Sequence, residues 1–164
     1  MSRRIQISLI RPLLGATDAV GVISSIAGSH AAQIERKIYY PYFWYSADCA
    51  ARTLFGKKAL TINCLVDGRG GLGATADSFE VDEPAVPREA VMLCRTGETQ
   101  ARRSAQRFVT HNLARGSKTV GNFEVALESR GLVYKAFWLV RCEGAMVMVD
   151  SVTAAVHLLG ERAA

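Results

Sequence analysis

A chain of 164 residues that is 49% hydrophobic and 21% charged has the composition of one globular domain, which excludes a disordered or fibrous protein. A formal charge of +5 permits an acidic partner such as nucleic acid without requiring one. Cys49, Cys64, Cys94 and Cys142 form no C-x-x-C pair and have no histidine placed to complete a zinc set. No metal or cofactor is expected, and the thiols read as reduced core residues of a cytoplasmic protein.

The N-terminal stretch MSRRIQISLIRPLLGATDAVGVISSIAGSHA has a faint likeness to a secretory leader. Arg11, Pro12 and Asp18 interrupt its apolar run, and nothing in the chain approaches the roughly 18 apolar residues of a membrane span. The stretch therefore reads as folded protein with no membrane partner. It comprises a strand over 7–15, then a helix capped by Thr17 and running to about His30. Ala19, Val20, Val22, Ile23, Ile26 and Ala27 share one helical arc. Opposite them lie Thr17, Gly21, Ser24, Ser25 and Gly28, with Asp18 the only acid. A solvated face ordinarily carries Lys and Glu, so this small surface is expected to meet another backbone, from a partner or from a loop of the same chain.

The segment KIYYPYFWY, 37–45, reads as a strand. Side chains alternate faces, so Tyr39, Pro41, Phe43 and Tyr45 point one way and Tyr40, Tyr42 and Trp44 the other. One set suits a helix-covered core. The other needs a cover, for which a second subunit, an apolar ligand and a curved sheet compete; polar-tipped Tyr and Trp favour the subunit. Pro41 removes a ladder donor and marks an edge strand or a bulge. Further on, Gly68, Gly70 and Gly73 in DGRGGLG match G-x-G-x-x-G, but the following ATADSFEVDEP alternates like a strand. A hairpin between strands 59–66 and 72–79 is the better reading, with an anion-binding nest as the alternative. Lys57 and Lys58 after Gly56 lack the spacing of a phosphate loop.

FEVDEPAVPRE, 79–89, has two prolines and four acids and reads as a linker. Beyond it the earlier rhythm returns. VMLCRTG, 91–97, echoes ISLIRPLLG, and Thr96 or Glu98 opens a helix to about Arg115, with Ala101, Ala105, Phe108, Val109 and Leu113 on its apolar arc and Gly116 as the stop. LVYKAFWLV places Tyr134, Phe137 and Trp138 like Tyr40, Phe43 and Trp44, and MVMVD sets Val149-Asp150 opposite Val66-Asp67. The expected fold is therefore α+β: an internally duplicated β-α-β-β-β unit, 1–82 and 83–164, forming together one compact domain. Its sheet is mainly antiparallel, with two helices on one face and pseudo-twofold symmetry.

No reaction is written in these residues. Asp67 and Asp150 sit in matching positions and, with Tyr134 and Trp138, suggest a cleft between the repeats, although Asp is also the residue that opens tight turns. His30, His111 and His157 are scattered, and a Cys142–His157 pair is less plausible than a structural thiol beside an edge histidine. Arg95, Arg102, Arg103, Arg107, Arg115, Lys118 and Arg130 make the second half basic; Arg102 can pair with Glu98, while Arg103 and Arg107 face water and could take an anion. The leading expectation is a non-catalytic accessory or binding subunit, a homo-oligomer or a protein docked on a larger assembly. Its interface would use Tyr39, Tyr40, Tyr42, Trp44, Gly21, Ser24, Ser25 and Gly28. A small-molecule or enzymatic cleft and nucleic-acid binding through the second helix are the alternatives.

Overall fold

A computed structural model describes residues 2–28, 31–116 and 123–159; His30 and Lys118 lie outside the described residues. The fold is α+β, with two α-helices among the described residues and a mainly antiparallel sheet. Two units are present: Met1–Tyr40 with Glu80–Met92 and Tyr134–Ala164, and Pro41–Phe79 with Leu93–Val133. The long strands β3 (Gln33–Thr53) and β8 (Phe123–Cys142) contribute residues to both.

In the first unit, β1 (Arg4–Gln6) lies ahead of the strand expected over 7–15, of which only β2 (Leu9–Ile10) forms. Helix α1 (Ala16–Ala27) begins at Gly15, whose amide donates to Asp18 Oδ2 at 2.9 Å, so the cap is Gly15 with Asp18 and not Thr17. It ends three residues short of His30 because Gly28 takes φ 63 and returns its amide to Ser24 O at 3.0 Å. Ala19 and Ile23 bury against Val140, Cys142, Val147 and Val149 of β8 and β9 (Ala145–Asp150). Ile26, expected on that arc, is 69% exposed. Of the arc, only Ala19 and Ile23 are buried.

β10 (Val156–Leu158) pairs with β9, and β9 with β8. The expected linker is not one. β6 (Val81–Asp82) pairs with β2, β7 (Ala85–Pro87) pairs with β1, and a 3-10 turn follows at Arg88–Ala90. Two of its four acids, Glu80 and Asp82, form ion pairs with Arg11, while Glu83 and Glu89 accept from the hydroxyls of Ser8 and Ser2. A strand over 91–97 is likewise reduced to one parallel bridge, Tyr39↔Val91.

In the second unit, β3 pairs with β4 (Gly56–Asp67) from Tyr42↔Asp67 to Thr53↔Gly56, and β4 pairs with β5 (Gly73–Ala76). Helix α2 (Glu98–Gly116) presents Ala101, Ala105, Val109 and Leu113, one residue per turn, to Tyr45, Ala47, Cys49, Cys64 and Val66. The period of four on the helix meets the period of two on the strand, and the alanines let the backbones approach. Burying Val109 and Leu113 there contributes on the order of 1.5–3 kcal/mol each.

Pro41 does not mark an edge, because β3 lies between β8 and β4. Its carbonyl accepts from Gly68 N at 2.9 Å, one residue before the β4 ladder begins at Tyr42. A strand residue turns its N and its C=O to the same side, so the missing donor faces the turn after β4 and no ladder bond is lost.

Candidate functional site

The glycine-rich turn after β4 is built from the inside. Asp67 Oδ1 accepts from Arg69 N at 2.8 Å and Gly70 N at 2.9 Å. Asp67 O accepts from Gly71 N at 2.8 Å, and Gly68 N goes to Pro41 O. Four successive amides are thus donated within the protein, which leaves no nest of free donors for a phosphate. The glycines answer to packing instead. A Cβ on Gly68 would stand 2.8 Å from Pro41 O and 3.0 Å from Cys94 Sγ, and one on Gly73 would stand 2.9 Å from Phe108.

Asp150 opens the corresponding turn after β9. Its Oδ1 accepts from Val152 N at 2.8 Å and Thr153 N at 3.2 Å, and its Oδ2 lies 3.1 Å from Lys135 Nζ. Burial pushes this carboxyl up, but the Val152 amide, the Lys135 ammonium and the Thr153 amide outweigh it and hold Asp150 below its ordinary value. Both aspartates therefore act as turn acceptors. The other expected cleft residues are engaged too. Tyr134 N donates to Ser8 O at 2.8 Å beside the core of Ile7, Leu9 and Ala136. Trp138 Nε1 donates to Leu14 O at 3.1 Å, and Lys37 Nζ stands 4.9 Å over its ring.

The aromatic strand finds most of its cover within the chain. Tyr39, 8% exposed, belongs to the core with Ile7, Leu9, Val86 and Ala136. Tyr45 lies under α2. On the opposite face Tyr40 meets Phe137 edge-on with centroids 5.9 Å apart, and Trp44 meets Phe79 at 4.8 Å while donating Nε1 to Asn63 Oδ1. Tyr40, Tyr42 and Trp44 are half-buried.

Among the described residues, three exposed surfaces bear on function. On α1, Gly21 and Ser25 are exposed with Ile26, Ser24 is half-buried, and Gly28 closes the helix. On α2, Arg103, Arg107 and His111 form an exposed row at a spacing of four, while Arg102 reaches Leu127 O at 3.0 Å instead of Glu98. The third was not singled out from sequence: at the β3–β4 turn, Leu54 is 96% and Phe55 100% exposed. The stretch TLFGKK carried the signal, two apolar residues where a turn ordinarily places polar ones.

Burial pushes the Cys64 thiol up to about 11, and burial also raises Cys49 and Cys94, so thiolate is scarce at neutral pH. Cys142 packs under α1, whereas His157 lies against Phe137 at 6.3 Å. Among the described residues no group of three or more His, Cys, Asp or Glu is placed to hold a metal, and no helix is long and apolar enough to cross a membrane. Compared with known proteins, the chain matches no family model, no curated protein and no solved structure.

Proposed function

We propose that the chain is a non-catalytic binding module that associates with a second copy of itself through the outer face of α1. The observation that carries this reading is the joint exposure of Gly21, Ser25 and, at the C-terminal end of the apolar arc, Ile26, on a helix whose only charge is Asp18. Two such surfaces carry one acid each, and their small residues permit the close backbone approach that suits an isologous interface. The half-buried aromatics are the weaker candidate, because Phe79 and Phe137 already cover Trp44 and Tyr40.

The same reading takes residues 1–82 and 83–164 as two copies of one β-α-β-β-β unit. Matched hydrogen bonds support it. Leu13 N and Leu14 N donate to Ser151 O, and Ser151 N to Ala136 O; Arg95 N and Thr96 N donate to Gly68 O, and Gly68 N to Pro41 O. Each segment then enters its helix, at Gly15 and Gly97. The helix of each copy lies on the hairpin of the other, α1 on β8 and β9 and α2 on β3 and β4. In these registers Tyr42 faces Asp67 as Phe137 faces Asp150, which equates Phe43 with Trp138, one position from the alignment that the aromatic rhythm suggests.

Light scattering on a size-exclusion column, across concentration and salt, tests the association. The expected result is an oligomer that Ile26→Glu shifts to monomer with an unchanged melting temperature. Gly21→Ala is expected to raise helix stability by roughly 0.5–1 kcal/mol while weakening association, since a Cβ there meets nothing of its own chain. A monomer at every concentration overturns the reading. An oligomer broken only by Tyr42→Glu moves the interface to the aromatic strand.

Charge favours a second reading. The second unit holds eleven Lys and Arg against six Asp and Glu, a net +5, whereas the first holds nine of each. The whole excess therefore sits in the unit that carries α2, and its Arg103–Arg107–His111 row suits phosphates. On that reading oligonucleotide affinity falls steeply with salt, and Arg103→Gln with Arg107→Gln lowers both the affinity and the slope.

A further inference from the structure

β3 and β4 remain paired to Thr53↔Gly56, so their turn consists of Leu54 and Phe55 alone. Both side chains stand in water, and a two-residue hairpin turn does not call for apolar residues. Behind the tip, Arg52 faces Lys57 across the ladder and Lys58 faces Ala51. Residues 49–60 contain these three cations and no acid.

We propose that this tip docks on the surface of an anionic lipid bilayer, with Leu54 and Phe55 entering the acyl boundary and Arg52, Lys57 and Lys58 meeting the headgroup phosphates. At ~3.3 Å per residue the cations stand roughly 7–10 Å behind the apolar pair, which matches the depth to which interfacial segments bury their apolar side chains. The charge is complementary to anionic lipid and is concentrated at the insertion point. Nucleic acid fits less well: a base stacks on Phe55, but Leu54 has no π-face, and a convex two-residue tip gives the phosphate backbone no groove to follow. A protein pocket would take the apolar pair and leave three cations without acids unexplained. Surface docking requires no spanning helix and does not depend on self-association through α1.

The test is cosedimentation of the full chain with vesicles of phosphatidylcholine mixed with phosphatidylserine, against vesicles of phosphatidylcholine alone. Binding is expected to the mixed vesicles only. Lys57→Gln with Lys58→Gln should weaken it roughly thirtyfold, and Leu54→Ser with Phe55→Ser should abolish it, with thermal melts checking that both variants fold. Independently of those variants, the emission of Phe55→Trp should shift to the blue, relative to the parent chain, when mixed vesicles are added. The proposal is overturned by absence of binding to mixed vesicles, by undiminished binding of the serine variant, or by an unshifted Phe55→Trp. Binding of an oligonucleotide that both double variants abolish, without vesicle binding, overturns it in favour of nucleic acid.

Discussion

Gly68→Ala is expected to destabilise the protein by about 2–4 kcal/mol, a fall in melting temperature of roughly 5–15 °C for a chain of this size. The new Cβ would stand 2.8 Å from Pro41 O and 3.1 Å from Pro41 Cβ. The first contact is with backbone of a central strand, which cannot swing aside as a flexible side chain can. Relief requires the turn to lift. Lifting stretches Gly68 N→Pro41 O and also the bonds from Arg95 N, at 2.7 Å, and Thr96 N, at 2.8 Å, to Gly68 O. Those two bonds fix the chain just before α2, so the helix and its buried arc loosen with the turn. Gly70→Ala is the comparison: its Cβ would meet only the Asp67 carboxylate, at 3.1 Å, and a smaller loss is expected. Urea unfolding of both variants measures the difference, and equal, small losses would mean that the turn yields without disturbing β3.

The residues that explain this turn were visible in the sequence, but their reason was not. DGRGGLG matched a dinucleotide fingerprint because both structures use glycine for close approach; here the neighbours are Pro41, Cys94 and Phe108. Periodicity carried what depends on neighbours along the chain. The arc Ala101, Ala105, Val109 and Leu113 buries as its spacing demands, and Gly28 ends α1. Periodicity fails where a distant residue decides. Nothing local tells that Glu80 and Asp82 answer Arg11, or that the nitrogen of Pro41 faces a turn and not a neighbouring strand. Ile26 fits an apolar arc equally well whether or not a strand lies beneath it. The tip at Leu54 and Phe55 was legible as an anomaly of composition, and Lys135 as another: one cation inside LVYKAFWLV requires an acid nearby, although the sequence does not name which.

That acid is Asp150, and removing Lys135 should expose what the pair supports. The Asp150 side chain is 5% exposed and that of Lys135 16%, so the carboxylate has little water to fall back on. Lys135→Met leaves Oδ1 with its Val152 and Thr153 amides and deprives Oδ2 of the ammonium. Breaking a buried pair from one side costs on the order of 3–5 kcal/mol; the residual exposure of Lys135 places the expected loss near the lower end. The folded protein holds the Asp150 carboxyl below its ordinary 3.8, so its contribution is fully present above that value and is lost as pH falls through the depressed folded value. In Lys135→Met burial is no longer offset by the ammonium, the carboxyl rises, and acid unfolding should begin at higher pH than in the parent. Asp150→Asn added to Lys135→Met removes the stranded charge while keeping an acceptor for the turn, and should restore part of the loss. Unfolding measured at neutral pH and on descent into acid separates the outcomes. A Lys135→Met variant as stable and as acid-resistant as the parent would show that the turn amides alone hold Asp150, with Lys135 only covering it.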